Sequence, residues 1–282
     1  MTSTMTSKSI TRIVPVTVFA FIGVLSTESA KALSLSYNDF SSTAGLTLNG
    51  TATQVGNAIR LTSANFIQSG SFFSTSPVTL ANDVSFSSAF QFRITDAGGA
   101  GGGADGLTFT IQTVSDTAGG IGQGIGYAGI GNSLAIEFDT YFNVGLDETG
   151  GSNHVGIDLN GSVDSVVSTG ELSPNFDNGN VWYAWVDYNG LTDTLEARWS
   201  DTNNRPSSAG LSLIVDLTTV LQTPNVFVGF TSATGSGYGN HDILAWQFND
   251  TFAPIGAVPE PGVLGLMGIG FLAAVRMRRK TQ

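Results

Sequence analysis

Short runs of alternating apolar and polar residues follow one another along most of the chain. Every second side chain of a strand lies on the same face, so each run predicts a β-strand with one buried face. The runs lie at residues 33–40, 57–62, 84–94, 107–114, 133–142, 154–160, 182–188, 194–200, 226–231 and 243–248. No clear helical period separates them. The pattern predicts an all-β fold, an antiparallel β-sandwich.

The connections between these runs carry turn signals and no phosphate-binding motif. Asn189-Gly190 lies between two runs and favours a tight turn. Glycine-rich loops lie at 96–103 and 118–131. Neither loop leads into a Gly-Lys-Ser/Thr helix start, so the sequence does not indicate a nucleotide site.

The distribution of charge excludes one class of partner. The chain has 282 residues, and between residues 33 and 257 it has four arginines, no lysine and twenty acidic residues, a net charge near −16. Such a surface repels phosphate backbones, so we expect no nucleic acid partner. Bound divalent cations would offset part of the charge, although an acidic surface also keeps an exported protein soluble.

Residues 1–32 are predicted to be a secretory signal peptide. Lys8 and Arg12 precede an apolar run at 13–25, and Ala30-Lys31-Ala32 matches an A-x-A cleavage site. The chain has no cysteine. An exported domain without disulfides is held by its core, or by its core and bound metal.

Residues 258–282 have the composition of a second targeting segment. A Val-Pro-Glu-Pro-Gly start at 258–262 precedes an apolar run at 263–275 and a basic cluster at 276–280. This order resembles the PEP-CTERM sorting signal of bacteria. The resemblance implies processing by an exosortase-type sorting protease at the inner membrane and delivery to the cell envelope or an extracellular polysaccharide layer. A plain C-terminal membrane anchor is the alternative, and whether the tail is cleaved or retained is left open.

Candidate chemistry is concentrated in the run at 133–142. Strand periodicity directs Leu134, Ile136 and Phe138 to the core, and Glu137 and Asp139 together to the other face. Two neighbouring carboxylates repel each other unless a cation lies between them. No lysine or arginine is near in sequence, so the pair indicates a bound cation rather than an ion pair.

Three further candidate ligands follow within eighteen residues of Glu137, namely Asn143, Asp147 and His154. Oxygen ligands suit Ca²⁺, and a site that includes one histidine suits a transition ion such as Mn²⁺. Alternatively, these residues could be solvated loop side chains without a ligand. A lone Glu-x-Asp pair would favour that interpretation, but the full set of five residues favours a metal site.

This block resembles the metal-binding segment of legume-type (L-type) lectins, whose ligands follow the same intervals. The resemblance extends to 69–80, Ala104-Asp105-Gly106, 154–158 and 232–248, and so spans about residues 33–250. It implies a concanavalin-like jelly-roll that binds carbohydrate and is not an enzyme. Residues 251–257 are then a linker to the C-terminal segment.

The resemblance also implies a role for each metal ligand. Asp139 and Asp147 would bridge two ions about 4 Å apart, as in two-metal sites. Asn143 and the backbone carbonyl of Tyr141 would complete the Ca²⁺ side. The Mn²⁺ side, or that of another transition divalent ion, would be completed by Glu137 and His154.

Sugar would be held by Asp105, by Asn143 and by a backbone N–H of the second glycine-rich loop. Gly122 and Gly124 are both candidates for that N–H, and the sequence does not separate them. The resemblance further implies a cis peptide bond before Asp105.

Two more features would shape the sugar site. Ser236 and Gly237 lie in the loop that the resemblance assigns to specificity. An aromatic ring would stack on the sugar; Phe142 is the preferred candidate, and Tyr141 and Tyr127 are the others. Core packing is the alternative role for each ring.

Two other functions compete with lectin activity. Glycoside hydrolases of a related sandwich fold use a third acid on the equivalent strand, and positions 141 and 142 here are Tyr and Phe. A structural matrix or adhesion protein with weak sugar affinity would keep the fold. The sequence names neither the sugar nor the oligomeric state, so assembly into a homo-oligomer stays open.

Overall fold

The computed structural model describes Met1 and residues 34–117, 119–147 and 149–257. The predicted signal peptide and C-terminal segment fall outside this part apart from Met1. Within it the chain forms sixteen strands and one short α-helix: β1 Ser34–Tyr37, β2 Leu46–Gly50, β3 Thr53–Val55, β4 Ala58–Thr62, β5 Gln68–Ser74, β6 Val78–Thr79, β7 Phe86–Gly99, β8 Gly106–Gln112, β9 Ser133–Asp139, β10 His154–Leu159, β11 Val167–Ser168, β12 Val181–Asn189, β13 Thr194–Ser200, β14 Leu211–Ile214, α1 Leu217–Leu221, β15 Asn225–Thr234 and β16 Gly237–Asn249.

The strands form two antiparallel sheets, which confirms the predicted sandwich. One sheet has the order β14-β13-β12-β7-β16-β4-β3, with β1 also paired to β16. The other, called the front sheet here, has the order β11-β10-β9-β8-β15-β5-β2, with β6 also paired to β15. β8 to β11 are neighbours in sequence order, whereas β15 is inserted between β8 and β5, so the sheet unites residues from distant parts of the chain.

The core between the sheets is rich in aromatic rings. Phe90 lies 4.9 Å from Phe230 and 5.8 Å from Phe109 between ring centroids. Phe138 contacts the same group from β9 and lies 5.9 Å from Phe90. Burial of large rings is the main stabilisation of a fold without disulfides. The packing of Phe138 in this core also fixes the orientation of β9, so that Glu137 and Asp139 point away from the core.

Several elements differ from the predicted runs, for physical reasons. β5 is buried on both faces over its last five residues, so it lacks alternation. β7 continues to Gly99, through half of the predicted glycine-rich loop. Helix α1 has five residues, too few for a helical period, and begins where the Asp216 side chain accepts hydrogen bonds from the N–H groups of Thr218 and Thr219.

The segment after β16 is docked on the domain. The N–H of Ala253 donates to Ser87 Oγ at 3.0 Å, and Ile255 packs against a cluster formed by Trp185, Ala89 and Ala245. Among the described residues no helix combines the length and hydrophobicity that membrane spanning requires.

Candidate functional site

Three strands of the front sheet bring the predicted acidic ligands together. Asp139, the last residue of β9, pairs with His154 of β10 and with Gly106 of β8. Glu137 lies two residues earlier on the same face. Ligand atoms of Glu137, Asp139 and His154 all lie within 4.8 Å of one another, and each side chain is 1% exposed. This cluster could hold a metal ion.

Neighbouring groups fix the orientation of Glu137 and His154. His154 Nε2 lies 3.1 Å from Glu137 Oε1, and its Nδ1 lies 3.2 Å from the carbonyl oxygen of Gly151. Ser165 Oγ lies 2.7 Å from Glu137 Oε1 and also 2.7 Å from Asp158 Oδ1. Hydrogen bonds of this kind hold a histidine and a carboxylate in ligating orientations. Sequence analysis did not identify Asp158 and Ser165, because their part in the site depends on strand pairing.

Gly156 makes room for the Glu137 carboxylate. It is the residue paired with Glu137 on β10, and a Cβ there would lie 2.4 Å from Glu137 Oε1. Glycine is therefore required beside the cluster.

The loop after β9 is folded by carboxylates of the same cluster. Asp139 Oδ1 accepts a hydrogen bond of 2.6 Å from the N–H of Tyr141. The Asp147 carboxylate accepts one from the N–H of Asn143, while the Asn143 carbonyl accepts from the N–H of Asp147 at 3.1 Å. Asn143 and Asp147 are therefore held in one turn beside Asp139.

The cluster carries more negative charge than the protein itself offsets. Burial, followed by the charges of Glu137, Asp147 and Asp105, raises the pKa of Asp139 well above its ordinary value. Burial alone would lower the pKa of His154, but the hydrogen bond and charge of Glu137 outweigh it and the pKa is raised. A cation would relieve this repulsion. The donor set, carboxylates with one imidazole, fits the predicted divalent ions.

Asp105 lies next to this cluster at the start of β8. Its carbonyl accepts from the N–H of Thr140 at 3.1 Å, and its own N–H donates to the Ala233 carbonyl at 3.2 Å. The peptide bond between Ala104 and Asp105 is cis. The side chain is 4% exposed, and its Oδ2 has no hydrogen-bond partner within the described structure. Such an oxygen can accept a hydrogen bond from a ligand.

The charge state of Asp105 depends on the cluster. Burial, and secondly the charge of Asp147, raise its pKa to about 7. A hydrogen bond from the backbone N–H of Gly235 acts in the opposite direction. A neutralised cluster would remove the contribution of Asp147 and so favour the ionised form of Asp105, which is the stronger acceptor.

The second glycine-rich loop returns over the outer face of the front sheet to reach Asp105. Thr231 Oγ1 donates to the Ile125 carbonyl at 2.7 Å. The Cα of Gly122 lies 3.6 Å from where a Cβ on Gly235 would be. Gly124 is buried, and its N–H is bonded to the carbonyl of Ile121. Of the two candidate glycines, Gly122 therefore lies beside Gly235, which is itself next to Asp105.

The loop between β15 and β16 is centred one residue earlier than predicted. Ser236 is exposed at its tip, as expected. Gly237 is buried at the start of β16, where a Cβ would lie 2.7 Å from the Cβ of Ala104. Of the predicted pair, Ser236 is therefore the exposed residue. Gly235, which sequence analysis missed, faces both Asp105 and Gly122 instead.

The three candidate aromatic rings lie in different surroundings. Phe142 is 40% exposed, and with Tyr141, Asn175 and Asp177 it lines a cleft of about 560 Å³. Tyr127 is fully buried and its hydroxyl lies 2.8 Å from Ser133 Oγ. Tyr127 is therefore a core residue, whereas Phe142 and Tyr141 stay candidates for contact with sugar.

Comparison with known proteins agrees with this architecture. Residues 32–260 match the legume lectin domain family, and the chain belongs to that family. Residues 257–280 match the PEP-CTERM protein-sorting motif. The family and the solved lectin structures indicate a non-enzymatic carbohydrate-binding protein, which confirms the choice of a lectin over a hydrolase.

Individual relatives cover the same region. The chain is 34% identical over 175 residues to favin from Vicia faba, covering 59% of this chain and 71% of favin. It is 34% identical over 192 residues to the L-type lectin-domain containing receptor kinase VIII.1 of Arabidopsis thaliana, 66% of this chain but only 25% of the kinase. The structure of the lectin from Bauhinia forficata in complex with GalNAc is similar with a TM-score of 0.66 and 26% identity, over 78% of this chain and 98% of that one.

Proposed function

We propose that this lectin binds carbohydrate at Asp105 and does so only when two divalent cations occupy the neighbouring acidic cluster. The observation that carries the proposal is the buried group of Glu137, Asp139 and His154, which lies beside Asp105 and contains two carboxylates for one imidazole. Legume lectins typically bind calcium and manganese.

The two ions would be held by different parts of the cluster. Glu137 and His154 supply the donors expected for Mn²⁺, and Asn143 with the Tyr141 carbonyl supplies those expected for Ca²⁺. Asp139 and Asp147 would contact both ions. When bound, the ions supply positive charge that stabilises the folded loop and keeps Asp105 ionised.

Metal and sugar binding are coupled through the chain itself. Thr140 follows Asp139 directly and donates its N–H to the carbonyl of Asp105. Asn143, a candidate for both ligands, lies in the turn closed by Asp147. Loss of the ions from the cluster would therefore shift the groups that would contact sugar, or change their protonation. GalNAc, present in the similar Bauhinia forficata lectin, is a suitable first probe.

The ion-free protein should become less stable as the pH rises from about 6.5 to 8. Below this range the buried His241, whose pKa is lowered to about 4, acts in the opposite direction. Asp105, Asp139 and His154 all have raised pKa values, that of Asp105 about 7. A raised pKa means that the folded state binds the proton more tightly, so the stabilisation is present at low pH and is lost as the pH rises through the folded pKa. Ca²⁺ and Mn²⁺ replace these protons. At pH 8 they should raise Tm by on the order of 10 °C and flatten the pH dependence.

Calorimetry between pH 5 and 8, with chelator or with both ions, measures these effects. Elemental analysis of the gently purified protein should find about two divalent ions per chain. A protein that contains no calcium or manganese, and whose Tm does not respond to either, would refute the metal site while leaving the fold intact.

We further propose that the protein is exported and delivered to the bacterial cell envelope or extracellular polysaccharide. The match to the sorting motif at 257–280 supports this location. The surface-localised form should lack the residues after about Pro261, which intact-mass measurement would detect. A surface form that still ends at Gln282 would instead indicate a retained membrane anchor.

A further inference from the structure

Two large apolar side chains are exposed beside the proposed carbohydrate site. Phe66 is 60% exposed and Ile67 is 70% exposed. They lie in the turn between β4 and β5, which leads directly to the part of β5 that pairs with the end of β15. We call this pair the apolar shelf. Adjacent exposed apolar side chains form a larger apolar patch than single ones, and such patches occur at ligand-binding sites.

The turn that carries the shelf is fixed to the sugar-site loop by hydrogen bonds. The N–H of Ile67 donates to the Gly235 carbonyl at 3.1 Å. Thr234 Oγ1 donates to the Asn65 carbonyl at 2.8 Å and accepts from the N–H of Gln68 at 2.9 Å. The shelf is therefore a prearranged surface, which reduces the entropic cost of binding.

The backbone of Ile67 is held in an unfavourable conformation. Its φ of 54° lies in the left-handed region, which β-branched residues rarely adopt. Among the described residues, Val84 and Ile125 share this feature, but they are 4% and 0% exposed. Core packing therefore accounts for those two residues and not for Ile67. A strained residue that presents an apolar side chain to solvent is typical of a binding surface.

The shelf and Asp105 are linked through a single residue. Gly235 accepts the Ile67 N–H at its carbonyl, and a Cβ on Gly235 would lie 3.6 Å from Asp105 Oδ2. The Phe66 ring lies 5.0 Å from that of Tyr238, on the other side of the same loop in sequence, in an edge-to-face arrangement. The polar site and the apolar surface thus belong to one continuous face.

We propose that Phe66 and Ile67 form a second subsite, which contacts the apolar face of the next sugar residue of a glycan whose terminal residue is bound at Asp105. This proposal rests on the proposed carbohydrate site. A pyranose ring presents C–H groups on one face and hydroxyls at its edge, so it suits an apolar surface next to the exposed Ser236. The protein would therefore favour oligosaccharides over single sugars.

The test compares monosaccharides with disaccharides that have the same terminal sugar. The purified full chain, with Ca²⁺ and Mn²⁺, is titrated calorimetrically with galactose and lactose, glucose and cellobiose, and mannose and mannobiose. For the pair that is recognised, the disaccharide should bind about tenfold more tightly, as expected for burial of one side of a ring. The double variant Phe66→Ala/Ile67→Gly should keep the monosaccharide Kd and lose this advantage.

The variants separate binding from folding. Glycine adopts a φ near 54° without strain, so Ile67→Gly should leave Tm unchanged or raise it. Ile214, 69% exposed on β14 of the opposite sheet, supplies the matched control Ile214→Ala, which should retain the advantage. An unchanged disaccharide advantage in the double variant, or an equal loss of monosaccharide binding, would overturn the shelf alone. A wild-type protein that binds none of the six sugars, nor GalNAc, nor any glycan of an array would overturn the carbohydrate site and the shelf with it.

Discussion

An Asp139→Asn variant is expected to bind neither the ions nor sugar. Asp139 is 1% exposed and has its ligand atom within 4.8 Å of those of Glu137 and His154. The amide is nearly the same size as the carboxylate but removes the charge that both ions would share. Ion affinity should fall by more than roughly 100-fold, since even groups that only orient ligands contribute 10–100-fold. Sugar binding should disappear because Thr140 and Asn143 lie in the same loop.

Without ions, the Asp139→Asn variant should be more stable than the ion-free wild type, although it is the weaker binder of ions and sugar. Repulsion by neighbouring carboxylates raises the pKa of Asp139, so removing its charge at pH 8 relieves that repulsion. Tm of ion-free Asp139→Asn should therefore exceed that of the ion-free wild type. Calorimetry and ion titration measure both effects.

A buried acid outside the cluster provides the control for Asp139→Asn. Asp242 is 2% exposed and pairs with Arg60 at 2.7 Å. Asp242→Asn should lower Tm, because Arg60 loses its partner, and should retain ions and sugar. Normal sugar affinity in Asp139→Asn would show that the cluster has no part in binding.

The second large effect is expected from Asp105→Asn, which should abolish sugar binding and leave the ions in place. Asp105 Oδ2 is buried without a partner in the described structure, and an amide at this position is uncharged and offers one acceptor oxygen in place of two. Loss of charged hydrogen bonds predicts an affinity decrease of at least roughly 100-fold. Asp105 is not among the three clustered ligand residues, so ion content and ion-bound Tm should stay at wild-type values.

Calorimetric titration with sugar and elemental analysis of the same sample separate these two results. If Asp105→Asn retains sugar affinity, the sugar lies elsewhere, and the cleft beside Tyr141 and Phe142 is the next candidate. If it loses the ions as well, Asp105 is part of the metal site itself.

Alternation of residue types was sufficient to predict the sandwich and the outward face of β9. Leu134, Ile136 and Phe138 lie in the core, and Glu137 and Asp139 share the opposite face, because strand geometry leaves no other arrangement. The same reasoning failed for β5, which is buried on both faces, and for α1, which is too short to show a period.

The candidate site was predictable where its residues are close in sequence. His154 lies within eighteen residues of Glu137, and the resemblance to legume-type lectins assigned it to the site; its strand pairs with β9 in the structure. Gly235 and Phe66 could not be found in this way, because their proximity to Asp105 depends on the pairing of β15 with β5 and β8. The choice of Gly122 over Gly124 required knowledge of which N–H is already bonded within its own turn.

The central claim, carbohydrate binding that requires bound cations, is tested most directly by a glycan array probed with three preparations of the same protein. These are the protein with Ca²⁺ and Mn²⁺, the protein stripped by a chelator, and the stripped protein after both ions are restored. We expect binding to a defined set of glycans in the first, none in the second, and recovery of the same set in the third. Equal binding by the stripped protein would contradict a requirement for bound cations.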